Sequence, residues 1–178
     1  AKPSVPITGR PCIYYAVKAL AESGIKDIII TSGYRVDDIM SSVGSFAEEE
    51  DVNIIYSYEY SALGTAGGVK KAESFLDDTF IVASGDVLSK VDFNKIVEFH
   101  RSKGAFATMA LTQVDDPTEY GIVGLAEDGR IERFKEKPRP EEAFSNLINA
   151  GIYVLEPEAL DFIPDNTKFD FSKETFPK

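Results

Sequence analysis

Two patterns of apolar residues alternate along the first two thirds of the chain. Continuous apolar runs at residues 27–31 and 80–83 predict short strands buried on both faces, as in a parallel sheet. Apolar residues spaced three and four apart predict a helix over residues 12–22. Strands over residues 52–58 and 105–114 continue the alternation, which is typical of a doubly wound parallel sheet.

Local signals mark the bounds of the intervening helices. Gly24 suits the C-terminal cap of the first helix, and helical spacing at residues 36–43 predicts the second. Residues 59–68 predict a loop that leads into a third helix. Asp92 is predicted to be the N-cap of a fourth helix, with His100 near the end of that helix and its dipole.

The pattern changes after residue 114. Apolar segments at residues 120–126 and 130–135 flank Asp128-Gly129, which is a hairpin signal. Residues 146–155 predict a further strand, and residues 157–162 and 171–176 predict short helical pieces. We therefore predict one domain over residues 1–178, in which a nucleotide-binding half over residues 1–114 precedes a half that adds strands and a second ligand.

Composition narrows the classes of protein that fit. The 178 residues suffice for one domain with a real core, and a net charge of −11 disfavours nucleic acid and anionic membranes as partners. Cys12 is the only cysteine and His100 the only histidine, which excludes an intrachain disulfide and nearly excludes a histidine-based zinc site or Ser-His-Asp triad. With no membrane-length apolar run and no secretory signal at its start, the chain is expected in the cytoplasm.

The end of the strand at residues 80–83 offers the first candidate chemistry. Ser84-Gly85 ends that strand and Asp86 follows, at the edge where open α/β sheets bind ligands. A carboxylate behind a glycine suits a hard cation such as Mg²⁺, although this stretch alone favours a simple turn.

Three other segments have both a structural and a functional interpretation. The chain has neither G-x-G-x-x-G nor G-x-x-x-x-G-K-[ST], but residues 63–68, Leu-Gly-Thr-Ala-Gly-Gly, could direct N–H groups to a ligand or form a simple strand–helix turn. Residues 135–138 and Lys2 are charged positions for which an exposed strand end or chain end is usually the better explanation. Asn149-Ala-Gly-Ile-Tyr153 places an amide and a glycine inside an apolar strand, which favours close approach of a ligand.

Taken together and in order, these segments resemble the sugar nucleotidyltransferases, also called NDP-sugar pyrophosphorylases. The resemblance covers nearly the whole chain and is nearest to mannose-1-phosphate guanylyltransferases and glucose-1-phosphate nucleotidyltransferases. The segments that carry it are Lys2-Pro-Ser-Val-Pro-Ile, Arg10-Pro11, Gly24-Ile25, Glu59, Leu63-Gly-Thr-Ala-Gly67, Gly85-Asp86-Val87, Tyr120-Gly-Ile-Val123, Phe134-Lys-Glu-Lys-Pro138 and Asn149-Ala-Gly-Ile-Tyr153.

The resemblance implies a fold, a reaction and a set of site residues. The fold is a Rossmann-like α/β/α sandwich with a mixed, mostly parallel sheet, here lacking its first strand. The reaction joins a nucleoside triphosphate to a sugar 1-phosphate by in-line displacement with Mg²⁺, giving an NDP-sugar and pyrophosphate. By match of motif, the triphosphate and metal residues are Lys2, Gly85 and Asp86, the base and ribose residues are Glu59, Gly64 and Thr65, and the sugar-phosphate residues are Gly121, Glu136, Lys137 and Asn149.

The chain departs from the family pattern at both ends. The family's glycine-rich loop, Gly-x-Gly-x-Arg-Leu-x-Pro-Leu-Thr, would precede Ala1, and its Trp-x-Asp-x-Gly carboxylate would follow Lys178. We expect a natural protein that is longer at both ends, a 178-residue chain without turnover of its own, and homo-oligomers such as the family often forms. Two alternatives remain, a regulatory or scaffolding relative and a ligand-binding domain without transfer chemistry. The retained Asp86, Lys2 and Lys137 favour catalysis.

Overall fold

The computed structural model describes residues 2–33, 35–44 and 46–177. Helices and strands alternate as the apolar pattern predicts until residue 114, after which strands dominate. The strands are β1 (Pro6–Ile7), β2 (Arg10–Pro11), β3 (Asp27–Ser32), β4 (Asn53–Tyr58), β5 (Phe80–Ala83), β6 (Ala107–Gln113), β7 (Gly121–Leu125), β8 (Ile131–Glu136) and β9 (Leu147–Leu155). The α-helices are α1 (Cys12–Glu22), α2 (Val36–Gly44), α3 (Gly64–Lys71) and α4 (Phe93–Lys103). Short 3-10 helices at Lys2–Ser4, Glu73–Phe75, Pro140–Glu142 and Pro157–Phe162 and a π-helical turn at Phe171–Thr175 complete the described elements.

The strands form three sheets of mixed direction. β3 pairs with β4 in parallel, and β1 pairs with β2 in a short antiparallel ribbon. The third sheet is five-stranded and centres on β9, which pairs with β6 on one edge and with β5 and β7 on the other, while β8 pairs with β7. Within the described residues, β3 and β5 are each paired along one edge only.

The predicted α/β class with a mixed sheet is confirmed, but the prediction of a mostly parallel sheet is wrong. Among the described residues only the β3–β4 pair is parallel. The reason lies in β9, which returns through the middle of the sheet antiparallel to β5, β6 and β7. β5 is accordingly half-buried along its length, rather than buried on both faces as its apolar sequence predicts.

Helix α3 begins earlier than the sequence predicts. The predicted loop over residues 59–68 gives way to helix at Gly64, and the helix ends at Lys71. Glycine normally weakens a helix by about 1 kcal/mol relative to alanine, so the Gly-Thr-Ala-Gly-Gly sequence favours a loop on propensity alone. Tertiary packing overrides that propensity, because Gly67 and Gly68 are both buried against neighbouring segments.

The other helices begin and end where their local signals indicate. Gly24 follows α1 with a φ of +86°, a value that glycine adopts without strain. The Asp92 side chain accepts a hydrogen bond from the Lys95 N–H at 3.2 Å and caps α4 as predicted. Left-handed Gly104 ends that helix.

Among the residues that the structure describes, two clusters of buried side chains form the core. One lies between α1, α2 and β3 and includes Phe46 and Phe93, and the other packs β9 against the segments that follow it. His100 is 1% exposed and bonds Thr108 Oγ1 at 2.8 Å and Glu156 Oε1 at 2.9 Å. It therefore joins α4, β6 and the end of β9 in a buried polar network, and does not simply complement the helix dipole as predicted.

Candidate functional site

The loop after β5 carries the predicted metal carboxylate. β5 ends at Ala83, and Asp86 lies exposed two residues beyond Ser84. A Cβ added to Gly85 would meet only ordinary contacts, 3.5 Å from Ile13 and 3.8 Å from Pro3. The Lys2–Ser4 turn thus lies beside Gly85, and the structure brings the predicted Lys2 and Asp86 segments together.

Asp86 is suited to hold a cation only with help from a ligand. Among residues 2–33, 35–44 and 46–177, no group of three or more His, Cys, Asp and Glu side chains could hold a metal ion. Mg²⁺ commonly takes one or two protein carboxylates and completes its shell with water and substrate phosphates. A single carboxylate at a glycine loop fits that kind of site and does not fit a site built from protein ligands alone.

The predicted base-binding residues lie where β4 passes into α3. Glu59 is half-buried, and its Oε2 accepts a hydrogen bond from the Leu63 N–H at 3.0 Å. A Cβ added to Gly68 would come within 2.7 Å of Glu59 Oε1, so the helix approaches Glu59 closely because Gly68 has no side chain. The structure therefore brings Glu59, Gly64 and Thr65 together at one helix end.

The N–H groups at that helix end already have acceptors within the chain. Ala66 and Gly67 both donate to the Phe169 carbonyl at 3.0 Å, and the Thr65 N–H donates to Asp170 Oδ1 at 3.2 Å. A Cβ added to Gly64 would lie 2.6 Å from the same Phe169 oxygen. The N–H groups of residues 65–67 are thus bound to residues 169–170 and not directed at a ligand, which supports the structural interpretation for these N–H groups but not for the Thr65 hydroxyl.

Gly121 and Glu136 face each other across the β7–β8 hairpin. They are register partners, and a Cβ on Gly121 would lie 2.6 Å from Phe134 Cζ and 2.8 Å from Glu136 Oε2. Burial raises the pKa of the Glu136 carboxyl, while the nearby charges of Lys137 and Lys173 partly oppose that shift. The hairpin thus presents a partly desolvated carboxylate over a glycine, as a site for hydroxyl groups would require.

Lys137 follows β8 in an uncommon backbone conformation. Its φ of +44° lies in the left-handed region, where a non-glycine residue is strained. Its N–H donates to the Tyr120 carbonyl at 2.9 Å, and its amine lies 3.3 Å from Glu119 Oε2 in an exposed ion pair. Such outliers often occur at ligand sites, and this turn keeps the lysine beside the Glu136 carboxylate.

Asn149 lies in an irregular part of β9 and is held by three hydrogen bonds. Its Nδ2 donates to Tyr153 Oη at 2.8 Å and to Ser172 Oγ at 3.2 Å, and its Oδ1 accepts from the Gly151 N–H at 2.8 Å. The β6–β9 register shifts at this point, and Gly151 has a φ of +72°. The apolar strand pattern with one glycine predicts such an irregularity.

The irregular part of β9 also connects two of the predicted groups of residues. The Ser84 N–H donates to the Gly151 carbonyl at 3.2 Å, which joins the Asp86 loop to the Asn149 strand. Sequence reasoning missed the residues that support the site from the chain's last segment, namely Asp170 and Ser172. No local motif marks them, because Asp170 meets Thr65 across 105 residues of sequence.

The fold and these groups define a nucleotidyl transferase domain. The family described as "Nucleotidyl transferase" matches residues 1–178, and the chain belongs to that family. It is similar to "Mannose-1-phosphate guanyltransferase 2" of Candida glabrata, at 39% identity over 99% of this chain and 50% of that protein. It is also similar to a "UTP--glucose-1-phosphate uridylyltransferase" of Synechocystis, at 37% identity over 99% of this chain and 49% of that protein.

Solved structures support the same fold. The crystal structure of HddC from Yersinia pseudotuberculosis complexed with GMP-PN matches with a TM-score of 0.84 at 28% identity, covering 99% of this chain and 76% of that one. The chain spans about half the length of the curated relatives it matches. Among the described residues, no helix has both the length and the apolar composition that a bilayer crossing needs.

An open groove among the described residues follows the Asp86 loop along the chain. It has a volume of about 490 Å³ and lies between α1 and residues 89–94, with Lys18 and Lys90 in its lining. None of the predicted site residues lines it. Its shape therefore does not bear on the chemistry that the motifs predict.

Proposed function

We propose that the protein containing this chain transfers a nucleotidyl group from a nucleoside triphosphate to a sugar 1-phosphate. A phosphate oxygen of the sugar attacks the α-phosphorus in line, the new O–P bond forms, and pyrophosphate leaves with the electrons of the broken P–O bond. The observation that carries the proposal is the link from Ser84 to Gly151, which joins the Asp86 loop to the strand of Asn149. Family membership and the relatives' names agree with it.

The residues present can position both substrates. Lys2 would contact the triphosphate beside Gly85, with Glu59, Gly64 and Thr65 toward the base and ribose. Gly121 would admit the sugar to the Glu136 carboxylate and Asn149, while Lys137 would neutralise the sugar phosphate. Asp86 would hold Mg²⁺, which, when bound, offsets charge that develops on the phosphates. Catalysis of this kind depends on positioning and charge neutralisation, and no covalent intermediate is required.

The cellular setting follows from the substrates. Both are charged small molecules of the cell interior, and the chain has one cysteine and no membrane-length helix among its described residues. We therefore propose a cytoplasmic, Mg²⁺-dependent enzyme that acts alone or as a homo-oligomer. The retention of Lys2, Asp86 and Lys137 favours this over a regulatory relative of the same fold.

The test measures pyrophosphate release by the full-length protein with Mg²⁺, across nucleoside triphosphates and sugar 1-phosphates. Lys137→Ala should lower kcat/KM because one charged phosphate contact is lost. The expected loss of transition-state stabilisation is about 2–4 kcal/mol. Lys26→Ala is the matched control. Lys26 also forms an exposed ion pair, with Asp51 at 2.7 Å, but it lies just before the first residue of β3 and is not a predicted site residue. Folded protein that is silent across the panel would refute the proposal and favour a regulatory role.

A further inference from the structure

A strap formed by residues 169–176 touches both predicted ligand-binding groups. At one end the strap contacts the start of α3, where Thr65 Oγ1 lies 3.1 Å from Asp170 Oδ1 and 3.0 Å from the Phe171 nitrogen. At the next residue, Ser172 Oγ lies 3.2 Å from Asn149 Nδ2. Three residues of one segment therefore reach the candidate nucleotide loop and the candidate sugar strand.

The strap is firmly held in place. Phe171 is 2% exposed, and its ring lies 5.1 Å from that of Tyr153 and 5.5 Å from that of Phe176. The Asp170 N–H donates to Glu174 Oε2 at 2.7 Å across the π-helical turn. Single π-helical turns occur frequently at functional sites. An anchored segment of this kind can fix its neighbours' side chains, which a loosely packed tail could not do.

Its three hydrogen bonds fix the orientation of the Asn149 side-chain amide. The Gly151 N–H can only donate, so the amide oxygen must face it and the amide nitrogen must face Tyr153 and Ser172. Both Nδ2 protons are then used within the protein. One lone pair on Oδ1 is all that remains for a ligand, so Asn149 can accept a hydrogen bond there but cannot donate one.

Hydrogen bonds within the chain fix the Thr65 hydroxyl in the same way. The Thr65 hydroxyl donates to Asp170, since a carboxylate can only accept, and the hydroxyl accepts from the Phe171 N–H. A ligand again finds a single acceptor lone pair. Together with the Glu136 carboxylate, both predicted groups therefore present acceptors, and the strap makes them so at Thr65 and Asn149.

We infer that the strap is a shared positioning element of the two substrate sites. In this role Ser172 orients Asn149 toward a donating sugar hydroxyl, and Asp170 orients Thr65 toward a donating group of the nucleotide. The inference deepens the proposed function and rests on it for the identity of the ligands. Neither Ser172 nor Asp170 needs to touch the reacting atoms.

Steady-state kinetics of the full-length protein separates positioning from general stability. Ser172→Ala should raise KM for the sugar 1-phosphate about 5- to 20-fold, the effect of one lost hydrogen bond, and leave KM for the nucleotide within about 2-fold. Asp170→Ala should raise KM for the nucleotide about 5- to 20-fold and change KM for the sugar 1-phosphate by less, since the Asp170 charge only adds to the effect of burial on the Glu136 pKa. Ser172→Thr, which keeps the hydroxyl, should restore most of the sugar affinity. Thr167→Ala is the control, because Thr167 is exposed and, among the described residues, its hydroxyl bonds only to the Asp165 carbonyl.

A sugar analogue and a spectrum complete the test. Fluorine can accept a hydrogen bond but cannot donate one. If Asn149 only accepts, a sugar 1-phosphate with fluorine in place of the hydroxyl that binds Asn149 should lose as much affinity as the corresponding deoxy sugar. NMR of the Asn149 side-chain amide, assigned by its loss in Asn149→Ala, should shift in Ser172→Ala and stay unchanged in Thr167→Ala. This signal needs no turnover, so an inactive protein with the expected shift refutes the proposed function and keeps the positioning role. An unmoved amide, or equal KM changes for both substrates in each variant, overturns the inference.

Discussion

Gly121→Ala tests the candidate sugar site by adding a single methyl group. The new Cβ would lie 2.6 Å from Phe134 Cζ and 2.8 Å from Glu136 Oε2. Both groups must retreat by roughly 0.6 to 0.8 Å to reach the 3.4 Å at which ordinary contact begins. Each is the far end of a side chain, so both can move without a shift of the backbone.

Two different magnitudes follow from that displacement. Overpacking costs about 1–3 kcal/mol, and we expect the lower end, about 1 kcal/mol of unfolding free energy, because side-chain ends yield more readily than backbone. A hydrogen bond to a charged group contributes about 1.5–3 kcal/mol, so a misplaced Glu136 should weaken sugar 1-phosphate binding about 10- to 150-fold. The prediction is therefore a large rise in KM for the sugar with a small loss of stability.

The assay is steady-state pyrophosphate release together with thermal unfolding of the same preparations. Gly124→Ala is the control on the same strand, since its Cβ would lie 3.3 Å from Phe144 Cε2 and 3.4 Å from Arg133 Cβ, close to ordinary contact. It should leave both quantities nearly unchanged. If Gly121→Ala keeps its sugar KM, Glu136 does not bind the sugar where we place it.

Three further changes test other parts of the molecule. Gly85→Ala meets only ordinary contacts, so its unfolding temperature should hold while nucleotide KM rises at least about 10-fold; an unchanged KM would show that no ligand approaches Gly85. Burial raises the pKa of the Glu136 carboxyl, so its ionised form destabilises the fold at pH 7 and Glu136→Gln should be more stable there. The gain in unfolding free energy should disappear as pH falls below the ordinary glutamate pKa, where the carboxyl is protonated in both states. Unfolding measured across pH checks this. Protonation of Glu136 should also raise the sugar KM of the wild type as pH falls; Glu136→Gln should flatten that rise, and a persisting rise would point to another titrating group. His100→Ala opens a cavity and removes one hydrogen bond each from Thr108 and Glu156, of which Glu156 keeps its bond from Thr79. Denaturant unfolding should therefore show a loss of about 2–4 kcal/mol with KM values unchanged, whereas altered KM values would place His100 in the site.

Elements with strong local signals were predicted well from the sequence. Helix α1 has the predicted bounds, Asp92 caps α4, and the Asp128-Gly129 pair forms the turn of the hairpin. Each depends on neighbours a few residues away, so a single sequence contains the information. The direction of strand pairing is different, because β9 could have joined either edge of the sheet and its apolar run is compatible with both directions.

The residues of the candidate site show the same difference between local signals and contacts made far along the chain. Glycines that accompany a motif, such as Gly85 and Gly121, stand out in sequence, but the reason for each lies in a partner far along the chain. Gly64 shows this most clearly. The Phe169 carbonyl lies so close to it that a side chain would not fit, and no motif predicts that contact. Ser172 has no local signal, because its importance arises only where the strap meets β9.

The charge of the chain then decides how such a site can work. A net charge of −11 opposes two anionic substrates, yet at physiological ionic strength charges are screened over about 8 Å. Only charges near the bound phosphates therefore matter, and Lys137 and Lys173 are close enough to Glu136 to lower its carboxyl pKa against the effect of burial. The same lysines can neutralise a phosphate while the acceptors of Glu136 and Asn149 face hydroxyls. In the proposed function, affinity for the phosphate would thus depend on lysines of the hairpin and the strap, and selection among sugars on Glu136 and Asn149.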